Sequence, residues 1–313
     1  MKPQKKGKAK SEKHHWWPEC VSEHWKNADG KVHWLQPNGK LIVAPPKNFG
    51  CIGNGHYIKL ARNAGETTPW DQNFEPFFDD ADGGFPSVIS WLKSLKRDDK
   101  REAKTLSDRF TPQNTSDKQI AQLVESIVSL AVRSPMQRQT GARTAEALRG
   151  IDRLPERERN TLITLNMRDS QQRVVSQIGT RGKFAILYSP KREFVFGDGF
   201  FHNIRSPVQP SQLNSYKMLV PITPEICVLY ANPWQYITEP RLFTFVVTPE
   251  EADVLNNVVQ IYSCNSIFYR SEMPKIISGY AEATHKIFTD SGNPVDTLIS
   301  NIPGVGSSQS IFF

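Results

Sequence analysis

The feature that most constrains the fold of this chain is a change in hydrophobic period near residue 181. Residues 116–180 have the spacing of amphipathic helices, and helical stretches near 136–149 and 156–178 continue the first one. From residue 183, short apolar runs such as "KFAILYS" and "EICVLYA" alternate with turn residues, which is typical of strands. A helical block followed by a strand-rich block predicts an α+β fold.

The segments before the helical block predict a hairpin and two helices. "KVHWLQPNGKLIVAPP" alternates apolar and polar residues about Asn38-Gly39, a dipeptide that favours a hairpin turn. "WDQNFEPFFDDADGGFPSVISWLKSL" has helical spacing on both sides of Gly83-Gly84, so two short helices are expected. The expected architecture is an N-terminal β-hairpin with helices, a helical middle, and a C-terminal mixed sheet with helices.

Two helix starts are well marked in the sequence. Ser116 and Gln119 can form a capping box ahead of an apolar stripe, and Pro135 is expected to end that helix. Thr248 as the N-cap and Pro249 at the first helical position predict a second start.

Composition sets the expected domain boundaries. We expect one mixed domain over residues 14–290, with a helical middle at about 116–180 and a sheet-rich part at about 181–290. The lysine-rich residues 1–13 are expected to form a disordered basic tail, and residues 291–313 a loosely ordered tail.

The net charge of +7 is concentrated at the N-terminus. Residues 1–13 contain six lysines and one glutamate, so this tail supplies +5 and the rest of the chain about +2. A basic tail favours an anionic partner, and the predicted nucleic-acid contacts are Lys5, Lys6, Lys8 and Lys10. A solvated leader that only aids solubility is an equally weighted alternative.

Several classes of protein lose support from the sequence. No apolar run approaches the roughly 20 residues that a membrane-spanning helix needs, so no membrane partner is expected. The basic N-terminus lacks a following apolar region, and the four cysteines are far apart, so we expect a cytoplasmic protein. Walker, G-x-G-x-x-G, H-E-x-x-H and G-x-S-x-G motifs are absent, which disfavours nucleotide-dependent enzymes and serine hydrolases.

One pattern raises the question of a zinc site. Cys20-x3-His24 and Cys51-x4-His56 each place a thiolate and an imidazole at a spacing that one ion could bridge. This combination is not a common structural zinc spacing, so separately packed residues are favoured and no metal ligands are assigned.

Two other segments contain residues suited to catalysis. His14 and His15 precede "WWP", and imidazoles titrate near neutrality, so they can move protons or bind phosphate. Packing of Trp16, Trp17 and Trp25 at a core edge is the favoured alternative for this segment. The glycine-flanked Asp198 in "EFVFGDGFFHN" could pair with an imidazole as a base, whereas an ordinary turn is favoured by the sequence alone.

Basic residues also occur together within the helical middle. Guanidinium groups hold phosphates in bidentate geometry, which makes this cluster a candidate phosphate site. On a helix these positions do not share one face, so a solvated surface is at least as well supported. The residues are Arg133, Arg138, Arg143 and Arg149.

Several segments, in their order along residues 14–271, resemble an uncharacterised bacterial family, domain of unknown function 4238. They are "HHWWPECVSEHW", "DGKVHWLQPNGK", "VRSPMQRQ", "FVFGDGFFHN", "LVPITPEICVLY" and "LNNVVQIYSCNSIFYR". By this resemblance the matching positions are His14, His15, Pro18, Arg133, Asp198 and Asn257. The chain departs from the family pattern at Cys20 and His24, where apolar or variable residues are usual. It also departs at Gly197 and Gly199, which replace Ser and Asn.

The sequence and the resemblance together lead to one functional hypothesis and one alternative. The hypothesis is a cytoplasmic bacterial protein that acts on nucleic acid as a hydrolytic, nuclease-like effector. His14 or His15 would act as the acid/base or phosphate ligand, Asp198 as the base or metal ligand, and Arg133, with Arg138, as the phosphate contact. The cofactor stays unknown, with a divalent metal ion as the candidate. The alternative is a non-catalytic module that binds nucleic acid or protein, in which these residues need not converge.

Overall fold

The computed structural model describes residues 13–53, 57–58, 72–73, 75–204, 215–283 and 293–305. The strands β1–β13 are Lys13–His15, Val32–Leu35, Leu41–Ala44, Cys51–Gly53, Tyr57–Ile58, Gln72–Asn73, Thr111–Gln113, Lys183–Tyr188, Phe196–Gly197, Lys217–Thr223, Ile226–Ala231, Leu242–Val246 and Ile267–Tyr269. The helices α1–α8 are Glu19–Ser22, Asp79–Ser94, Asp117–Arg133, Pro135–Leu148, Glu156–Ile178, Pro249–Tyr262, Ser278–Ala281 and Pro294–Ser300. The predicted α+β class is confirmed.

The larger sheet has five strands in the order β10-β11-β8-β12-β7. Its central strand β8 is an unbroken run of buried residues, as expected for a strand covered on both faces. β8 and β12 run parallel, with Phe184 opposite Leu242 and Tyr188 opposite Val246, while the other pairs are antiparallel. The sheet is therefore mixed, and the carboxyl ends of β8 and β12 lie side by side.

A second, four-stranded sheet contains the predicted hairpin. β2 and β3 pair antiparallel with Val32 opposite Ala44 and Leu35 opposite Leu41, so the hairpin is confirmed. Gly39 in the turn has a φ of +80°, a conformation that favours glycine, and Asn38 Oδ1 accepts the Lys40 N–H at 3.0 Å. β13 and β9 extend this sheet in the order β3-β2-β13-β9.

Helix α2 corrects the prediction of two short helices. It runs unbroken from Asp79 to Ser94 through the paired glycines and through Pro86. Proline has no N–H, so the carbonyl of Asp82, four residues earlier, loses its usual helical partner. The Cys20 thiol donates to this carbonyl at 3.5 Å. A contact from another segment thus supports a helix that local sequence disfavours.

The other marked helix boundaries agree with the sequence. The capping box of Ser116 and Gln119 begins α3, and that of Thr248 and Glu251 begins α6. Pro135 starts α4 directly after α3 ends. The apolar stripe of α3, including Ile120 and Ile127, is fully buried, and α3 packs between α2 and α5.

The structure describes part of the predicted C-terminal tail and none of the residues before Lys13. Where a loosely ordered tail is expected, α8 buries Val295 and Ile299 and packs against α6 and β11. The prediction is wrong for residues 293–305, because their apolar residues have helical spacing behind the N-cap Asn293. Lys5, Lys6, Lys8 and Lys10 lie outside the described residues, as do residues 306–313.

The tryptophans of the N-terminal segment form the centre of an aromatic cluster. Trp17 stacks on Phe196 with centroids 4.6 Å apart and lies 4.5 Å from Phe268, while Trp25 meets Trp17 edge-on. All of these rings, and Trp16, are buried, which confirms their expected packing role.

Among the described residues, no helix combines the length and apolar character that crossing a bilayer requires.

Candidate anion-binding site

The paired histidines lie on the short edge strand β1. β1 pairs with β4, and His14 and His15 stand opposite Ile52 and Cys51. The His15 side chain is half-buried, and that of His14 lies outside what the structure describes. The contact of His15 with the predicted site is through its backbone, because its carbonyl accepts from Arg133 Nη1 at 3.5 Å.

Arg133 is a buried structural residue rather than an open phosphate ligand. Its side chain is 1% exposed, and its Nη1 and Nη2 donate to the two oxygens of Asp82 at 3.0 and 2.5 Å. Its Nε donates to the Ser129 carbonyl at 3.3 Å, and the guanidinium lies 4.6 Å from the Phe78 ring centroid. A phosphate would have to displace Asp82, so the sequence-predicted phosphate clamp at Arg133 is not available in this structure.

Asp198 supports the turn between α6 and β13. The residue is 2% exposed, and its Oδ1 and Oδ2 accept the backbone N–H groups of Cys264 and Asn265 at 2.8 and 2.9 Å. The flanking glycines permit this close approach. A Cβ on Gly197 would lie 2.0 Å from Ser263 Oγ, and one on Gly199 2.0 Å from the Tyr262 carbonyl oxygen. Close packing therefore explains the two glycines, and neither has the positive φ of the hairpin turn that the sequence favoured.

The α3–α4 junction is the place where these candidates approach one another. Arg133 at its start reaches the His15 carbonyl, and the Met136 N–H after it donates to the Asp198 carbonyl at 3.2 Å. Both links use backbone oxygens, so they organise the fold and present no open nucleophile or base. A catalytic grouping of His14 or His15, Arg133 and Asp198 stays a prediction.

Two other residues that were singled out in the sequence, Arg138 and Asn257, lie on helices α4 and α6. Arg138 is half-buried on α4, with Nη1 3.8 Å from Met167 Sδ, and burial lowers its pKa to about 10. Asn257 is exposed on α6, whereas its neighbour Asn256 is buried and bonds to the backbone of Glu193 and Val195. The structural asparagine of this helix is thus one position before the one that the resemblance indicates.

The cysteines of the pattern that raised the question of zinc make other contacts. The Cys20 thiol donates to Asp82, and the Cys51 thiol lies 3.3 Å from the Phe49 carbonyl oxygen. Burial first, and then the charge of Asp82, raise the pKa of Cys20 to about 11, which disfavours a thiolate ligand. His56 lies outside the described residues, and within those residues no cluster of three potential ligands occurs.

A cleft of about 410 Å³ opens at the carboxyl ends of the parallel strands β8 and β12. Its lining includes Lys93, Arg97, Asp99, Tyr188, Glu225 and Val246. Side chains and loops converge at this end of parallel strands, and ligands bind there in many open α/β sheets. The end of α2, the connector after it and the β10–β11 turn form the other walls.

Two cations face this cleft. Lys93 lies in the last turn of α2 and Arg97 in the connector after it; both are exposed and have no carboxylate partner among the described residues. Arg97 Nη2 donates to the Lys93 carbonyl at 2.6 Å, and its guanidinium lies 4.3 Å from the Tyr188 ring centroid. These two contacts hold the guanidinium in place before any ligand arrives.

The two acidic residues of the lining are already paired. Arg101 binds Asp99, with Nε 2.7 Å from Oδ1, and this interaction lowers the pKa of Asp99. Arg270 bonds to Glu225 and also to Glu193. The cleft thus combines two carboxylates that have arginine partners with two cations that have no carboxylate partner in the described parts of the chain, an arrangement that favours an anionic ligand.

Tyr188 contributes a fixed wall rather than a reactive group. Its hydroxyl donates to the Leu92 carbonyl, and burial raises its pKa to about 12 even though Arg97 opposes the shift. His24 lies near the same end of α2, where burial first and the Lys93 charge second lower its pKa. Both shifts favour the uncharged form of the group.

Lys93, Arg97 and Tyr188 were not predicted from the sequence as site residues. "KRDDKREAKTL" has mixed charge, which is typical of a solvated connector, and nothing in it distinguishes Arg97 from its neighbours. The available signal was the strand end in "KFAILYS", because functional side chains often emerge there. The partner strand of β8 could not be read from the sequence.

No protein-family model, no curated protein and no solved structure matches this chain. The resemblance to domain of unknown function 4238 therefore stays a prediction that rests on the quoted residues.

Proposed function

We propose that this protein is a non-catalytic nucleic-acid-binding module that binds a phosphate group of the nucleic acid in the cleft at the ends of β8 and β12. The observation that supports this proposal most is the pair of cations, Lys93 and Arg97, that face the cleft without carboxylate partners among the described residues. Phosphate contacts from lysine and arginine dominate the affinity of proteins for nucleic acid.

The chemistry of the two side chains suits this ligand. Arg97 offers a planar fork of donors that can hold two phosphate oxygens, and Lys93 adds a mobile point charge beside it. Lys191 follows Pro190 of the lining and is exposed near Asp99, so it extends the basic rim. The predicted tail contacts at Lys5, Lys6, Lys8 and Lys10 would add to the same electrostatic attraction.

Binding without catalysis is the form of the hypothesis that the contacts favour. Arg133 and Asp198, two of the predicted catalytic residues, are buried and bonded to Asp82 and to backbone amides, respectively. A cytoplasmic location is part of the proposal. The four cysteines, all within the described residues, form no disulfide, which suits a reducing compartment.

The test is the affinity of the full chain for a labelled single-stranded oligonucleotide, measured by fluorescence anisotropy. Lys93→Gln and Arg97→Gln should each weaken binding about tenfold, because each removes a charge-assisted contact. Each should also make the dependence of log K on log salt shallower by about 0.7 per lost phosphate contact on a single strand.

Lys118→Gln is the matched control. Lys118 is an exposed lysine in the first turn of α3, and the adjacent Asp117 pairs with Arg241 at the opposite end of β12. Affinities that are equal for the Lys118 and Arg97 variants would remove the cleft from the proposal. If only deletion of residues 1–12 abolishes binding, the tail is the binding site instead.

A further inference from the structure

We infer that the cleft receives the terminal phosphate of a nucleic-acid strand rather than an internal phosphate. This inference rests on the proposed function and specifies its ligand. Three observations support it: the number of cations at the cleft, the covered face of its aromatic residue, and its size.

The charge at the cleft matches a phosphomonoester. Lys93 and Arg97 supply two positive charges without carboxylate partners in the described part of the chain, while Asp99 and Glu225 already have arginine partners. A phosphomonoester carries about −1.5 to −2 at pH 7 and offers three acceptor oxygens. An internal phosphodiester carries a single negative charge, so it would leave part of this positive charge uncompensated.

Among the described lining residues, no aromatic ring is open for a base to stack on. Single-strand binding along a groove uses aromatic rings on which successive bases stack. Tyr188 is the aromatic residue among the described lining residues; Arg97 lies over its ring, and its hydroxyl is bonded to Leu92. The cleft therefore recognises a polar end group and leaves the bases outside, which predicts binding without sequence preference.

The size of the cleft agrees with one end group. About 410 Å³ is near the lower end of the range for small-molecule sites, roughly 300–1,000 Å³. Arg97 is held by Lys93 and Tyr188 before the ligand binds, so little side-chain freedom is lost when a phosphate arrives.

The experiment compares one oligonucleotide sequence with a 5′-phosphate, with a 3′-phosphate and with hydroxyl groups at both ends. A terminal phosphate should tighten binding about tenfold in the wild-type chain, and Arg97→Gln should remove this difference. Glu225→Gln should increase the preference for the phosphorylated strand, because it removes a negative charge from the lining. Lys118→Gln should leave the preference unchanged.

The outcomes separate this inference from the proposed function. If all three oligonucleotides bind equally and Arg97→Gln weakens each of them, the terminal-phosphate inference fails and the nucleic-acid function stands. If none binds, both fail. A mononucleotide that binds as tightly as the phosphorylated strand would overturn the strand end as the ligand and identify a small phosphomonoester instead.

Discussion

At the scale of single residues, His202 is a buried histidine whose imidazole has no polar contact among the described residues. Its side chain is 8% exposed, and neither ring nitrogen has a hydrogen-bond partner among the described residues. The ring packs against Phe200. Burial without a partner disfavours the charged imidazolium and lowers the pKa of His202 to about 3.

This depressed pKa predicts acid-dependent stability. In the unfolded chain a histidine binds a proton near pH 6.5, whereas folded His202 stays neutral until about pH 3, so stability falls as the pH drops through this window. Relative to His202→Leu, the wild type should lose about 3 kcal/mol of unfolding free energy between pH 7 and pH 4. Urea unfolding at both pH values measures this difference. Parallel losses in the two proteins would contradict the assignment.

Asp198 shows the limit of prediction at the residue scale. The Gly-Asp-Gly sequence favours a hairpin turn with positive φ, whereas its glycines pack closely against Ser263 and Tyr262 and have no positive φ. The oxygens of Asp198 accept backbone N–H groups of another turn. The partners, Cys264 and Asn265, are more than sixty positions away in the sequence, and no local pattern identifies them.

At the scale of elements, the pair formed by Arg133 and Asp82 joins α3 to α2. Local signals predicted where α3 begins and ends, because caps and prolines act within a few residues. They did not predict that α2 continues through Pro86, since the compensating contact comes from Cys20. Element boundaries were thus predictable wherever the decisive contact is local.

Breaking this junction should destabilise the protein. Asp82→Ala leaves a buried guanidinium without its carboxylate, and we expect a loss of about 3 kcal/mol in unfolding free energy. Adding Arg133→Met removes the unpaired charge, so the double variant should be more stable than Asp82→Ala alone. Chemical denaturation of the wild type, the two single variants and the double variant measures the coupling free energy between the two side chains. Additive losses would show that the two side chains do not depend on each other.

At the scale of the whole molecule, the parallel pairing of β8 and β12 creates the candidate site. The sequence predicted both strands, but strand order depends on contacts between segments more than fifty residues apart. The α+β class depends on the order of helices and strands along the chain, so the sequence predicted it. The cleft depends on which strands are neighbours in the sheet, so the sequence did not predict it. Arg133 and Asp198, which were selected by residue type and by the resemblance, connect elements in the interior.

The most direct test of the central claim is lysine labelling of the full chain with and without a 5′-phosphorylated single-stranded oligonucleotide. Mass spectrometry reads the modification of Lys93, Lys191 and Lys118 in one digest, and all three lysines are exposed in the unbound protein. A phosphate held in the cleft should protect Lys93, and Lys191 at its rim, while Lys118 reacts as before. Unchanged labelling of Lys93 under conditions where the oligonucleotide is bound would contradict the cleft as the binding site.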